Sequence, residues 1–398
     1  MATEHGAKAW RRLPVNQCLR TDFPRKRSVQ KKNYRSEGRF PVIDQGAGLA
    51  GYSDDESLVN VGPLPLILFG DHTRKLKFLD FPFVTGADGT RLIRAREEVA
   101  NPLFLFYALR AVPIPNRGYN RHFQLLKQAT ILVPEDLRTQ DSVARFLADL
   151  EGLAGIALSR AGAMARLRAA LLAKIFREGL RGEPLRETEI GPLPASWRVA
   201  RLAEHCMIRS GGTPSRAEPR FWGGEIPWVK TGEINYGNIT RTEESLSEEG
   251  LAASAASVFP PGTPLMAMYG QGATRGRAAM LRIPAATNQA CAAFFPSQTL
   301  QPEFLYAYFC RAYEYIRGLG HGANQKNLSA EILKGVLLPI PPNIGEQRSV
   351  ADLAGVMDGL VEGSARRHAA LRSLFSALLA RLMTGELRLP AEAGEADG

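Results

Sequence analysis

The sequence lacks the residue groupings on which most enzymes depend. No GxxxxGK[ST] loop is present to cradle phosphates, and no HExxH pair is present to hold zinc. The six histidines are scattered rather than set at ligand spacing, so no metal site is expected. None of the eleven lysines follows an Asp or Glu by two positions, which removes the [DE]-x-K half of a common nuclease site. The Asn-Pro-Pro-aromatic run of adenine-modifying enzymes is also missing; Pro341-Pro342-Asn343 is a different order. Gly270-Gln-Gly272-Ala-Thr-Arg-Gly276 holds a GxG, but without a third glycine at dinucleotide spacing or a following amphipathic helix. It reads as a tight loop presenting Gln271, Thr274 and Arg275. Cysteine is scarce: Cys18, Cys206, Cys291 and Cys310 lie too far apart for a zinc knuckle or a CxxC pair and read as free thiols in a reducing compartment. No stretch is long and apolar enough to span a bilayer, and the charged first residues lack the core of a signal peptide. The expectation is a cytoplasmic chain with no membrane contact, no metal and no catalytic residues of its own.

What is present is a repeat. The 398 residues suffice for two or three domains. Residues 134–175 and 341–382 align without a gap at an offset of 207. Pro134 meets Pro341, Gln140 meets Gln347, and Leu171-Leu172-Ala173 meets Leu378-Leu379-Ala380. Upstream the offset drifts, as loop insertions would cause. Pro102-Leu-Phe-Leu matches Pro302-Glu-Phe-Leu, Gly118-Tyr-Asn120 matches Gly322-Ala-Asn324, and Gly38-Arg-Phe-Pro41 matches Gly224-Glu-Ile-Pro227. Trp10-Arg11 and Trp197-Arg198 open the halves.

Charge adds less than its total suggests. Of the net +10, residues 1–39 carry +8, which leaves +2 for residues 40–398. The basic opening favours an anionic partner there, but the rest of the chain is close to neutral.

Each half begins with short strands and turns and ends in a long helix. Phe40–Ile43 and Pro65–Phe69 in the first half read as strands, as do Ile226–Lys230 and Pro264–Tyr269 in the second. The helices carry a seven-residue apolar pattern. In the first, one column runs Val143, Leu150, Ala157, Met164, Leu171, and a column three residues on runs Phe146, Leu153, Arg160, Leu167, Lys174. The second repeats this as Val350, Met357, Ser364, Leu371, Leu378 and Leu353, Leu360, Arg367, Leu374, Arg381. Both are expected to form one apolar seam, broken by basic residues at the same two places. A helix of ~35 residues is ~50 Å long, and such a seam needs cover. The other copy, packed antiparallel about a pseudo-two-fold axis, is the expected partner.

These features together resemble one family. Leu193-Pro-Ala-Ser-Trp197, Ser210-Gly-Gly-Thr-Pro-Ser215 and Trp222-Gly-Gly-Glu-Ile-Pro-Trp-Val-Lys230 resemble a target-recognition domain of type I restriction–modification specificity subunits. So does the ending Ile340-Pro-Pro, Glu346-Gln-Arg, then a long helix closing on Leu382-Met-Thr-Gly-Glu-Leu387. The first half resembles another subtype through Phe40-Pro-Val-Ile-Asp-Gln45, Gly51-Tyr52 and Phe69-Gly-Asp-His-Thr-Arg74. It has no counterpart of Ser-Gly-Gly-Thr-Pro; Arg25-Lys-Arg-Ser-Val-Gln-Lys-Lys32 stands there instead.

The resemblance implies an α+β chain of two mixed α/β recognition domains, separated by two long helices in an antiparallel coiled coil. The expected order is recognition domain 1–139, helix 140–182, linker 183–196, recognition domain 197–343, helix 344–388 and a disordered tail 389–398. It implies a non-catalytic subunit that reads a bipartite, asymmetric site on double-stranded DNA. Two methyltransferase subunits would dock on the helices, and motor–nuclease subunits would join through the assembled complex. S-adenosylmethionine, ATP and Mg would be bound by those partners, not by this chain. The alternative is a coiled-coil adaptor with two interaction modules that never touches DNA.

Candidate DNA contacts follow from residue type. In the first domain Asp71, His72, Thr73, Arg74, Lys75 and Lys77 sit on a turn after a strand, where Arg and Lys suit guanine edges or phosphates and Asp suits cytosine. In the second, Tyr269, Gln271, Thr274, Arg275 and Arg277 occupy the corresponding loop. Asn120, Arg121 and His122 match Asn324, Gln325 and Lys326. Ser210, Gly211, Gly212, Thr213 and Lys230 are candidate backbone contacts, while Trp228 reads as core. The docking candidates are the helix columns, with Arg160 and Arg367 either positioning partners or bridging the seam.

Overall fold

Proline at the first helical position pre-organises a helix start, and both halves use it. Pro102–Ala111 and Pro302–Arg311 form matched ten-residue helices. The Asn101 side chain caps the first, accepting from the Leu103 and Phe104 N–H groups at 2.9 and 3.1 Å. Each helix packs on the strands before it and leads, after one more strand, into a long helix. The long helices span Leu137–Glu178 and Ile344–Met383.

In a computed structural model, the described residues are 10–20, 26–86, 89–116, 118, 121–270, 272–319 and 327–389. They divide into two units, Met1–Ile156 with Arg367–Gly398, and Ala157–Arg366. Each unit therefore contains a stretch of both long helices.

The first unit holds two four-stranded sheets. One runs Leu19–Arg20, Thr90–Ala95, Leu66–Gly70, Leu76–Leu79, all antiparallel. The other runs Gly51–Ser53, Phe40–Ile43, Phe83–Thr85, Val59–Asn60, with a parallel pair in its middle. Trp10–Pro14 pairs with Thr130–Pro134 just before the long helix.

The second unit repeats that last ladder as Arg198–Arg201 with Leu337–Ile340, but its sheets differ. Five strands run Cys206–Ser210, Cys291–Pro296, Pro264–Ala267, Ala278–Leu281, Asn238–Ile239. Three run Glu244–Leu246, Trp222–Val229, Ala286–Thr287. The frame is thus shared and the sheets are not. The linker is partly ordered: Leu185–Arg186 pairs with Leu193–Pro194.

Within each unit the long helices pack antiparallel. In the first, Ala154 meets His368, whose Nδ1 lies 3.0 Å from its carbonyl, while Gly385, just past the second helix, lies against Leu132, just before the first. In the second, Arg168 pairs with Asp358, and Arg181, just past the first helix, lies 3.4 Å from Glu346 at the start of the second.

The seam corrects the expected columns. Val143, Leu150, Ala157, Val350 and Met357 are buried as expected, but Phe146, Leu153, Leu167, Leu353, Leu360 and Leu374 are 38–51 % exposed. The second seam column lies four residues on, not three. It runs Leu147, Ala154, Ala161, Arg168, Ile175 in one helix and Ala354, Val361, His368, Phe375, Leu382 in the other. Leu147, Ala154, Ile175, Ala354, Phe375 and Leu382 are all buried. Alanine and charged residues in this column hide it from an apolar count, whereas the larger leucines fill the outward column. Arg160 and Arg367 stand on that exposed face rather than in the seam.

Candidate nucleic-acid interface

In the first unit the turn after Leu66–Gly70 meets the segment 121–123. Asp71 is buried and joins the two. One carboxylate oxygen accepts from the Phe123 N–H at 2.8 Å, and the other lies 3.2 Å from Arg91 Nε. Its carbonyl accepts from the His122 N–H at 3.1 Å and lies 2.8 Å from Nδ1 of that ring, which is fully buried. Asp71 and His122 therefore form an internal bracket and present no edge to solvent.

Their neighbours are also engaged. The His72 N–H donates to the Gln45 side chain at 3.2 Å, and the Thr73 hydroxyl donates to the Gln45 carbonyl at 2.7 Å. Arg74 takes a left-handed φ of 60° and donates from Nη1 to the Ile114 carbonyl at 3.1 Å. Lys77 donates to the Gly48 carbonyl at 2.8 Å, and burial holds its ammonium below the ordinary lysine range. Lys75 and Arg121 are left as exposed cations on this surface. Asn120 lies outside the described residues.

In the second unit the loop 272–277 is tied down from behind. The Tyr313 hydroxyl donates to the Ala273 carbonyl at 2.7 Å, and Arg317 donates to the Gly272 carbonyl at 2.7 Å. Arg277 donates to the Asn235 side chain and lies 5.8 Å over the Tyr236 ring. Arg275 is 8 % exposed, so its side chain points into the fold rather than toward a surface ligand. Thr274 is half-buried, whereas Tyr269 is 42 % exposed at the head of the loop. Gln271, Asn324, Gln325 and Lys326 lie outside the described residues.

The Ser210–Thr213 segment is built for close packing. A Cβ on Gly211 would stand 2.0 Å from the Thr287 carbonyl oxygen, and one on Gly212 would stand 2.3 Å from the Ala256 nitrogen. Both glycines are buried, and the Gly212 carbonyl accepts from Trp228 Nε1 at 3.0 Å. Only glycine fits there. Ser210 and Thr213 are exposed, with the Thr213 hydroxyl bonded to Gln289. Lys230 is held between Glu243 and Glu244 at 2.7 and 3.0 Å, and these bonds raise its affinity for the proton. Its charge is neutralised in place.

Gln45, Tyr313 and Arg317 are functional neighbours that sequence reading missed. They stand at least 27 positions from the loop residues they hold, and no local pattern marks such contacts.

Beyond these surfaces, the outward helix columns leave large apolar side chains exposed in each unit: Phe146, Leu153 and Leu374 in the first, and Leu167, Leu353 and Leu360 in the second. Leu150, Leu171, Met357 and Leu378, expected on the same face, belong to the inner column; Leu150 and Met357 are buried and Leu171 and Leu378 half-buried. Among the described residues no group of three or more His, Cys, Asp or Glu is placed to hold a metal, and no helix is long and apolar enough to cross a membrane.

Comparison with known proteins gives a consistent answer. Residues 194–356 match the type I restriction modification DNA specificity domain. The specificity subunit of the type I enzyme EcoR124I/EcoR124II from Escherichia coli is 22 % identical over 366 residues, covering 87 % of this chain and 86 % of its own length. The MjaIX specificity subunit from Methanocaldococcus jannaschii is 28 % identical over 194 residues, but that match spans only 48 % of this chain and 44 % of the relative. The crystal structure of a type I restriction–modification S subunit from M. genitalium superposes with a TM-score of 0.67 at 15 % identity, covering 96 % of this chain and 98 % of that one. A chain from a study of type I complex assembly and conformational transition gives 0.53 at 18 % identity, covering 95 % and 98 %.

Proposed function

We propose that the chain is a specificity subunit of a type I restriction–modification system and that it reads a bipartite, asymmetric site on double-stranded DNA, one half-site per unit. The observation that carries this reading is the contrast within the duplication. The ladder, the ten-residue helix and the long helix recur in both units, whereas the sheets and loops set on them differ. Equal frames suit two equal partners, and unlike heads suit two unlike half-sites.

Lys75, Arg121 and Tyr269 are the residues we assign to the DNA surface, because they combine suitable chemistry with exposure. Asp71, His122, Arg275 and Lys230 act behind that surface, as brackets and braces. The exposed leucine column is the face for two methyltransferase subunits, through which motor–nuclease subunits join. S-adenosylmethionine, ATP and Mg are bound by those partners, and the chain itself performs no chemistry.

The test is to co-express the chain with its methyltransferase partner and map methylated bases in the host DNA. The expected result is one motif of two unlike halves separated by a fixed gap. A continuous or palindromic motif, or no salt-sensitive retention of DNA by the complex, overturns the proposal.

A further inference from the structure

Two buried glutamines share a matched pair of hydrogen bonds, one set in each unit. Gln140, in the first turn of the first long helix, is fully buried. Its Oε1 accepts from the Asn101 N–H at 2.7 Å, and its Nε2 donates to the carbonyls of Val99 at 3.1 Å and Pro134 at 2.8 Å. Gln347, in the first turn of the second, is 1 % exposed. Its Oε1 accepts from the Gln301 N–H at 2.9 Å, and its Nε2 donates to the Thr299 carbonyl at 3.0 Å. Val99 and Asn101 correspond to Thr299 and Gln301 at the offset of 200.

Each amide thus fastens the start of a long helix to the start of the ten-residue helix beneath the recognition sheet. From there the packing is continuous. Phe104 and Leu105 share a core with Ile67 and Phe69, which lead into Asp71 and its turn. Phe304 and Leu305 share a core with Met266 and Met268, which lead into Tyr269. A glutamine suits the place because one planar, uncharged group supplies a donor and an acceptor, and a buried carboxylate would add the desolvation of a charge.

We propose that Gln140 and Gln347 are positioning residues that fix the angle between each recognition sheet and its helix, and so fix the half-site separation the protein accepts. This rests on the reading of the chain as a DNA-binding subunit. Neither glutamine touches DNA; each acts through the helix it anchors. Losing the paired bonds frees the sheet to turn against its helix while leaving its base contacts intact.

The test uses the full chain copurified with its methyltransferase partner, and duplexes carrying the mapped site with its natural spacer or one base pair more or less. Gln140→Met and Gln347→Met keep side-chain length and remove both bonding roles; Gln140→Leu and Gln347→Leu remove them with another uncharged side chain and provide a second pair should the first misfold. Each variant should bind the natural site within a few-fold of wild type. The preference for the natural spacer over the altered ones should fall about tenfold, the scale of a lost buried hydrogen bond, with base preference within each half-site unchanged. A Val143→Ala variant controls for simple destabilisation and should keep the wild-type ratio. Folded variants with the wild-type spacer preference overturn the proposal alone. A wild-type complex that shows no spacer preference, or does not bind, overturns the DNA-binding reading and the proposal with it.

Discussion

The Arg168–Asp358 pair in the second unit permits a quantitative prediction. Their side chains are only 13 % and 14 % exposed, and Arg168 comes from one long helix while Asp358 comes from the other. Breaking a buried pair by removing one partner typically costs about 3–5 kcal/mol, because the remaining charge stays buried without compensation. Arg168→Met should therefore destabilise the protein by roughly 3 kcal/mol or more, which lowers Tm by about 6–12 °C for a unit of this size. Replacing both, as Arg168→Met with Asp358→Leu, should recover most of that loss, since an apolar pair of similar volume needs no charge compensation.

The deficit should also depend on pH. Burial raises the Asp358 carboxyl above its usual range, and Arg168 is the main opposing influence. A carboxyl raised in the folded state favours folding while it is protonated, and that contribution is lost as pH rises through the folded value. Without Arg168 the carboxyl is raised further, so the single variant should lie closer to wild type at pH 4 than at pH 8. Denaturant unfolding of the wild type, both single variants and the double variant at the two pH values gives the full cycle. A double variant no more stable than Arg168→Met, or a deficit that shrinks as pH rises, would refute the reasoning.

Two further outcomes follow from burial. Leu153→Asp and Leu360→Asp alter side chains 50 % and 45 % exposed, so each should change the stability of the isolated chain by no more than about 0.5 kcal/mol; each should also remove one of two methyltransferase subunits in copurification, and full retention by both variants would show that the outward columns are not the docking face. Burial pushes the Cys206 and Cys291 thiols up to about 12 and raises those of Cys18 and Cys310 as well, so native protein at pH 8 should resist a thiol-specific reagent that titrates four thiols after unfolding; rapid labelling of the folded chain would contradict that packing.

The frame was legible because it is encoded locally and twice. Proline at a helix start, a gapless repeat of the long helices and short apolar strands between turns each leave a short-range mark. The register of the helix pair was only half legible. Val143 and Leu150 marked one seam column, but Leu147, Ala154, Arg168 and Phe375 together do not read as an apolar column, and Phe146, Leu153 and Leu167 read as a better one. Residue type alone cannot separate a face covered by the chain from a face left for something else. The candidate site was less legible still. Asp71, His122, Arg275 and Lys230 have the chemistry of DNA contacts, and so do the brackets that hold a loop in shape. What distinguishes them is burial and distant partners such as Phe123, Arg91 and Glu243, set by tertiary contacts that no window of sequence contains. Gly211 and Gly212 were legible as special residues, but their reason lies at Thr287 and Ala256.

The divergence between the units is itself ordered. Glu151 and Asp358 occupy the same position of the repeat, 207 residues apart. In the first unit the carboxylate is met by Arg110 of the ten-residue helix at 2.8 Å and by the Tyr107 hydroxyl at 3.0 Å, with Phe375 of the other long helix against them. In the second, the position matching Arg110 is Cys310, and the position matching Phe375 is Arg168. The guanidinium has moved from the recognition domain to the opposite helix while the carboxylate stayed in place. A carboxylate withdrawn from water, as Asp358 is, needs a partner, but it does not matter to its solvation which element supplies one. It does matter to the fold. In the first unit the ion pair joins the ten-residue helix to the long helix, and in the second it joins the two long helices. The pair in the first is also the more exposed, at 27 % and 44 %, and is worth correspondingly less. The two units therefore share a geometry without sharing its energetics, and equal substitutions at matched positions should not have equal effects.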